Sequence, residues 1–251
     1  MMNEENRIST QTKLFGYIGE HAGASRFCAV LNKNFKQNGD DAMIIPMNIR
    51  EDDLYFTLSN MKNSHLNGAV ISSEYVSDVV DILDDAPALV SKSGMCDIIY
   101  KEVNRLRGDL FSIRVLIEHL KDLCASKIAI IGVNPYAKAF SFLACGFNVS
   151  YFHDNLEALM EFSKQTQQDD IDMNRIALDM PVDLSEFDVV LDFSDFDSLT
   201  MVQALGKNNF DMKNTKQFSA LKQRASELEA TYTSYDAMLE QLTDKVYQLI
   251  H

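Results

Sequence analysis

Short apolar runs alternate with longer amphipathic stretches along most of this chain. The first series predicts strands at residues 14–18, 42–47 and 68–72, with helices at 25–37 and 51–62 between them. Strands joined in this way form a parallel sheet with helices on its faces, because a parallel connection needs a crossover of helical length. The alternation starts again at residue 127, with strands predicted at 127–131, 148–152 and 188–193 and helices at 135–145 and 156–163. The sequence therefore predicts an α/β fold made of two α/β units.

The remaining segments are predicted to connect and extend these units. A long helix at 109–123 has apolar residues at helical spacing and would join them. The polar stretch 165–173 is predicted to be a loop. The region 213–251 is predicted to be helical throughout, with two segments meeting near residues 233–234. A glycine turn at Gly132 follows the first strand of the second unit, where a nucleotide-binding domain carries its phosphate loop.

Charge and composition exclude several classes of function. The net charge of −14 argues against nucleic acid as a partner, because phosphate binding depends on clustered Lys and Arg. No apolar run approaches the ~18 residues of a membrane span, and the polar N-terminus lacks the apolar core of a signal peptide. We therefore expect a cytoplasmic protein with no membrane contact. No metal site is expected, and buried free thiols are predicted at Cys28, Cys96, Cys124 and Cys145.

The stretch IGEHAGASRFCAVLNKNF, at residues 18–35, is the most informative motif in the chain. It resembles the opening of the shikimate dehydrogenase family, whose first strand ends in Gly-Asn-Pro and whose loop, Ser-x-Ser-Pro, leads into a helix. An ungapped comparison retains Gly19, Ser25, Ala29, Asn32 and Phe35. It places Phe27 at the second loop serine and Cys28 at the proline. The resemblance implies that one of two hydroxyls that bind the substrate carboxylate is lost.

The order of the predicted elements also resembles that family. The resemblance implies a substrate-binding α/β domain at 12–106 and a Rossmann-like nucleotide-binding domain at 107–234. A C-terminal helix at about 235–251 would pack back on the first domain, and residues 1–11 are expected to be a disordered leader. The substrate cleft would lie between the two domains. The positions that resemble its lining are Ser25, Phe27, Ser72, Asp97 and Gln241.

The family's catalytic lysine and aspartate are not retained. The lysine ends the phrase Gly-x-Asn-Val-Thr-x-Pro-x-Lys, and Tyr75 or Val76 stands at its position, depending on one gap. Ser112 stands at the position of the aspartate, and Asp97 replaces a substrate-binding asparagine with a charge that would repel a carboxylate. An alternative pair, with Tyr75 as acid and Asp97 as base, stays open. So does the simpler interpretation, with Tyr75 as a packed aromatic, Asp97 in a turn and Ser112 as a capping hydroxyl.

The cofactor loop is altered as well. A dinucleotide fold needs small residues after its first strand, so that backbone N–H groups can approach the pyrophosphate at a helix N-terminus. In the sequence GVNPYA, Gly132 and Ala137 fit this pattern, whereas Asn134 fills the second glycine position. The proline and Tyr136 are predicted to occlude the pyrophosphate site. Asp154 lies about 20 residues further on, where an acid holds the ribose of NAD, so any dinucleotide would be NAD rather than NADP.

These losses predict a shikimate dehydrogenase-like protein without oxidoreductase activity, which would act by binding and would carry no cofactor. The alternative is a divergent dehydrogenase that uses NAD or NADP on shikimate, quinate or another small cyclic hydroxy acid. A homodimer, a protein partner and a small molecule in the cleft all stay open as partners.

Overall fold

The computed structural model describes residues 11–167, 171–214 and 217–250. The predicted α/β fold is confirmed, and the chain forms two compact units. Unit 1 contains the described residues of 1–90, 96–111 and 239–251, and unit 2 those of 91–95 and 112–238. The leader expected at 1–11 lies outside the described residues, except for Gln11. Within these ranges no helix is both long enough and apolar enough to cross a membrane.

The sheet of unit 1 has five strands in the order β2-β1-β3-β4-β5. The three strands predicted from the sequence are β1 (Lys13–Gly19), β2 (Ala42–Asn48) and β3 (Leu66–Ile71), and they run parallel. An antiparallel hairpin of β4 (Ile98–Glu102) and β5 (Arg105–Asp109) extends the sheet. The sequence prediction lacks this hairpin, because β5 is rich in charged residues and the turn residue Val103, at φ 58°, carries no glycine signal.

Helices α1 (Phe27–Asn38), α2 (Glu51–Met61) and α8 (Leu239–Ile250) belong to unit 1. A further helix, α3 (Ala88–Ser93), lies where the chain passes from unit 1 to unit 2. The side chain of Asn32 joins α1 to β2, donating to the carbonyl of Ile44 and accepting from its N–H, both at 2.9 Å. The C-terminal helix α8 packs on α1, and its Tyr247 hydroxyl donates to Asp40 at 2.7 Å. Asn32 therefore has a structural role in the motif to which it belongs.

The sheet of unit 2 has five parallel strands in the order β12-β10-β6-β7-β8. They are β6 (Lys127–Ile131), β7 (Asn148–His153), β8 (Asp172–Arg175), β10 (Val189–Asp192) and β12 (Asn208–Asp211). A separate parallel pair is formed by β9 (Val182–Asp183) and β11 (Val202–Ala204). The helices of this unit are α4 (Ser112–Asp122), α5 (Pro135–Leu143), α6 (Leu156–Thr166) and α7 (Ala220–Glu227).

Three predicted segments differ from the structure. The helix expected at 109–123 begins only at Ser112, because Asp109 still belongs to the β4–β5 ladder. The loop expected at 165–173, of which 168–170 lie outside the described residues, runs into the edge strand β8. The region 213–251 is not helical throughout, because the chain between α7 and a 3₁₀ helix at Tyr235–Met238 runs beside β12. There the N–H of Thr233 donates to the carbonyl of Asn209 at 2.8 Å.

The prediction of buried thiols holds for only half of the cysteines. Cys28 and Cys96 are buried, whereas Cys124 and Cys145 are exposed, and all four are free. The exposed pair lies in the turns that follow α4 and α5, where side chains face solvent. Burial raises the pKa of Cys28 to about 11, which keeps this thiol protonated and unreactive near neutral pH.

Candidate functional site

In unit 1, three hydroxyl groups meet at the carboxyl ends of β1 and β3. Tyr17 lies in β1, Ser72 directly follows β3, and Ser25 lies in the loop before α1. The Tyr17 hydroxyl is in hydrogen-bond contact with both serine hydroxyls. Burial raises the pKa of Tyr17, and the two serine hydrogen bonds oppose this effect. We refer to Tyr17, Ser25 and Ser72 as the hydroxyl cluster.

The side chain of Glu74 occupies donors at the edge of the hydroxyl cluster. Its carboxylate accepts a hydrogen bond from the Ser72 hydroxyl at 2.5 Å and another from the backbone N–H of Glu20 at 3.0 Å. Gly19 makes room for this arrangement, because a Cβ there would lie 2.7 Å from the Ser72 Cβ and 2.8 Å from Glu74 Oε1. The sequence comparison places Glu74 at the proline of the family phrase but assigns it no role. A carboxylate of the chain itself thus contacts one of the hydroxyls that the resemblance assigns to substrate.

Phe27 is fully buried behind the hydroxyl cluster. Its ring stacks on that of Tyr17, with centroids 5.2 Å apart, and its N–H donates to the Ser25 hydroxyl oxygen at 3.1 Å. The aromatic ring therefore fills core space next to Tyr17, and the loop serine is held by the first turn of α1.

Tyr75 and Val76, at the position of the family's lysine, are both buried. The Tyr75 hydroxyl donates to the carbonyl of Ile49 at 2.9 Å. Burial raises the pKa of Tyr75, and the charges that raise it further are all carboxylates, namely those of Glu20, Glu74, Glu51 and Asp78. A tyrosine held in this way is a poor proton donor near neutral pH, because its acidity is lowered by burial and by like-signed neighbours.

The remaining sequence-predicted positions are Asp97 and Gln241 of the pocket and Ser112 at the family's aspartate. Asp97 is buried, and its carboxylate accepts from the N–H of Phe111 at 2.9 and 3.1 Å. Gln241 is exposed on α8 and has no hydrogen-bond partner within the described ranges. Ser112 is the first residue of α4 and is buried.

In unit 2, the N-terminus of α5 follows the glycine turn after β6. Gly132 has φ 94°, and a Cβ there would lie 2.8 Å from the backbone nitrogen of Ser194, so only glycine fits. Asn134 is the N-cap of α5, and its side-chain oxygen accepts from the N–H groups of Tyr136 at 3.0 Å and Ala137 at 3.3 Å. The amide nitrogen of the same side chain donates to the carbonyl of Phe193 at 2.5 Å.

These bonds occupy the backbone donors that a helix N-terminus offers to an anion. Pro135 has no N–H, and the next two N–H groups are bonded to Asn134. The Tyr136 ring packs against that of Phe193, with centroids 5.8 Å apart. A pyrophosphate bound here would have to displace the Asn134 side chain, so the residues present do not fit a dinucleotide at this helix.

The turn after β7 carries the acid that the sequence assigns to a ribose. Asp154 is exposed and lies 3.0 Å from Nδ1 of His153. Asn155 caps α6, accepting from the N–H groups of Glu157 at 2.8 Å and Ala158 at 3.2 Å. Asp154 is thus accessible at the end of a central strand, as a ribose ligand would be. In the described part of the chain, no group of three His, Cys, Asp or Glu side chains could hold a metal ion.

Sequence reasoning assigns no role to Tyr17 and Glu74, and it places Asn134 only at the second glycine position of the cofactor loop. Tyr17 reads as an ordinary strand residue, and Glu74 as a loop acid. Asn134 carried a signal that could have been used, because Asn directly before a proline at the first helical position is typical of a helix N-cap.

Comparison with known proteins finds similarity to shikimate dehydrogenases in sequence and in fold. No family model matches the chain. Over 149 residues it is 26% identical to a protein named shikimate dehydrogenase (NADP(+)) from Dictyoglomus thermophilum. The matched residues make up 57% of this chain and 54% of the relative. The match therefore spans about half the length of that curated relative.

Solved structures share the fold over nearly the whole chain. A shikimate dehydrogenase in complex with NADP+ has a TM-score of 0.78 at 17% identity, covering 97% of this chain and 91% of that one. The shikimate dehydrogenase of Aquifex aeolicus has a TM-score of 0.77 at 15% identity, covering 98% and 94%. With the motif at residues 18–35, these findings show that the chain is similar to shikimate dehydrogenases, in sequence over about half of its length and in fold over nearly all of it.

Proposed function

We propose that this protein is a member of the shikimate dehydrogenase family that binds a ligand or partner and does not transfer hydride. The observation that carries the proposal is the Asn134 side chain, which bonds the N–H groups of Tyr136 and Ala137 at the start of α5. Hydride transfer needs a nicotinamide cofactor, and a cofactor whose pyrophosphate loses these donors loses much of its anchoring.

The residues of unit 1 support the same conclusion. A dehydrogenase needs a side chain that exchanges a proton with the reacting oxygen, and such groups typically contribute 10²–10⁴-fold to the rate. The Tyr75 hydroxyl is bonded to the Ile49 carbonyl, and Val76 has no proton to exchange. Cofactor binding and proton transfer are thus disfavoured by different residues, Asn134 for the first and Tyr75 and Val76 for the second.

Ligand titration tests the cofactor half of the proposal. Wild-type protein is titrated with NAD, NADP and inorganic pyrophosphate, and thermal denaturation and calorimetry follow binding. We expect no saturable binding below millimolar concentration. A ligand present at 100 times its dissociation constant would stabilise the fold by about 2.7 kcal/mol, which is a readily measured shift. Submillimolar binding of NADP to the wild type would overturn the proposal.

Two matched variants sharpen this test. Asn134→Gly frees the N–H groups of Tyr136 and Ala137, so it is expected to gain pyrophosphate affinity. Asn155→Gly frees two equivalent N–H groups on α6, where the sequence has no phosphate loop, and is expected to gain none.

The second candidate is an NAD- or NADP-dependent dehydrogenase acting on a small cyclic hydroxy acid. It is favoured by the name of the relative, shikimate dehydrogenase (NADP(+)), by a similar solved structure in complex with NADP+, and by the exposed Asp154 after β7. Under this candidate Tyr75 would be the acid, and Tyr75→Phe would abolish turnover.

A further inference from the structure

The Glu74 carboxylate occupies hydrogen-bond donors that could also bind the carboxylate of a small molecule. Its two carboxylate oxygens accept from the Ser72 hydroxyl and from the N–H of Glu20. These donors come from the ends of two neighbouring strands and converge on one carboxylate. Such an arrangement, with hydroxyl and backbone N–H donors around a planar anion, is how proteins bind carboxylates without a cation.

The contacts of Glu74 are of a kind that an external carboxylate could replace. The residue is exposed, lies in the loop after β3 and makes no ion pair within the described ranges. Its carboxylate is therefore held in place by two hydrogen bonds and by the short stretch of backbone between Ser72 and Glu74. A carboxylate of a small molecule would offer the same acceptor geometry to the same donors.

We propose that Glu74 is an internal competitor, which occupies a carboxylate-binding site formed by the Ser72 hydroxyl and the Glu20 N–H and keeps small-molecule carboxylates out. The proposal deepens the proposed function, on which it rests, because it concerns the ligand that the binding protein accepts. An occupied site lowers the apparent affinity of an external ligand by the fraction of time for which the site is free. A side chain that holds the donors for nine tenths of the time thus weakens binding about tenfold.

Neighbouring acids also disfavour the binding of an anion here. This charge repulsion must be distinguished from the competition of Glu74 for the donors. Glu20, Glu51 and Asp78 act on Tyr75 together with Glu74. Removal of any of these charges reduces repulsion of an anion, whereas only removal of Glu74 frees the donors. A test therefore needs one variant that frees the donors and one that removes a charge alone.

The variants are Glu74→Ala and, as the matched control, Asp78→Ala, which removes an exposed neighbouring acid that has no contact with Ser72. Acetate and shikimate are titrated without cofactor, with the methyl ester of shikimate as the neutral analogue, and binding is followed by amide NMR shifts. We expect Glu74→Ala to bind both carboxylates about tenfold more tightly than wild type, and the ester no more tightly. Adding Ser72→Ala to Glu74→Ala should remove the gain.

Two results would overturn the proposal. One is an affinity in Glu74→Ala no greater than that of wild type, and the other is an equal gain in Asp78→Ala, which would assign the effect to charge alone. If Glu74→Ala does not fold, Glu74→Gln serves the same purpose, because a neutral amide competes less for the donors than a carboxylate does. Neither result bears on the cofactor, so failure here is distinct from submillimolar NADP binding, which would overturn the proposed function itself.

Discussion

Two buried carboxylates face each other at the ends of neighbouring strands in unit 2. Asp192 ends β10 and pairs in register with Asp211 of β12, and their exposed fractions are 2% and 0%. Asp211 accepts three hydrogen bonds, from the hydroxyls of Ser219 and Tyr232 and from the N–H of Lys213. One oxygen of Asp192 accepts from the N–H and hydroxyl of Ser194, while Oδ2 has no partner in the part of the chain that the structure describes. Asp192 is thus the carboxylate with fewer compensating bonds.

This environment favours the protonated form of Asp192. Burial raises its pKa to about 6, against the hydrogen bonds of Ser194 and the attraction of Lys213, and the charge of Asp211 acts in the same direction as burial. Burial also raises the pKa of Asp211. The native state therefore keeps a proton that the unfolded chain releases near pH 4.

The sign of the resulting pH dependence follows from this difference. Because the folded pKa of Asp192 lies above the unfolded one, its contribution to the free energy of unfolding is most favourable below about pH 4 and falls as the pH rises to about 6. Asp192→Asn keeps an acceptor for Ser194 and removes the charge. We predict that the variant gains about 3 kcal/mol over wild type between pH 4 and pH 7. Urea denaturation of both proteins at a series of pH values measures this difference, and a gain that does not change with pH would contradict the assignment.

At the scale of the element, the start of α5 depends on one side chain with two tasks. Asn134 caps the helix through Tyr136 and Ala137 and also ties it to the Phe193 carbonyl at the end of β10. Asn155 caps α6 in the same way, and within the described residues its side chain makes no hydrogen bond to a neighbouring strand. The two capping side chains therefore differ by one hydrogen bond, from Asn134 to Phe193.

We predict that Asn155→Ala lowers the free energy of unfolding by about 1 kcal/mol, the usual value of an N-cap. Asn134→Ala is expected to cost about 1 kcal/mol more, because it also leaves the Phe193 carbonyl without its side-chain donor. Denaturant titrations of the two variants and the wild type provide the comparison. Equal losses at the two positions would show that the bond to Phe193 contributes nothing.

The elements that the sequence predicts are those whose packing is apolar. Strands such as β6 and β10 are buried on both faces and read as continuous apolar runs. The edge strand β8, with the sequence DMNR, is mostly exposed and is specified by its ladder with β7 rather than by hydrophobic pattern. β12 begins with two asparagines, and Asn209 is buried because its amide donates to the carbonyls of Gly206 and Thr231. A partner as distant in sequence as Thr231 leaves no local signal.

For the molecule as a whole, motifs locate the two sites, whereas the hydrogen bonds that fill them could not be derived from the motifs. The glycine turn and the first loop identify the ends of β6 and β1. The position of Glu74 in the family phrase shows that a proline is absent, but its bond to the N–H of Glu20 depends on how two loops approach each other. The resemblance predicts what is lost, and the structure adds what has replaced it.

A test of catalysis involves residues of both units, with Asn134 in unit 2 and Glu74 and Tyr75 in unit 1. Under the proposed function, the wild type is expected to show no NADP-dependent oxidation of shikimate or quinate above background, because Asn134 occupies the N–H groups of Tyr136 and Ala137 and the Tyr75 hydroxyl is bonded to the Ile49 carbonyl. The combination of Asn134→Gly with Glu74→Ala frees both binding sites, yet Tyr75 and Val76 still provide no lysine. Loss of both general acid–base groups costs about 10²–10⁴-fold each, so we expect this variant to bind ligands without turnover. Absorbance of NADPH follows the reaction, with an intact shikimate dehydrogenase as positive control. Turnover of about one per second in the wild type, an ordinary enzymatic rate, that is abolished by Tyr75→Phe would instead establish the dehydrogenase candidate.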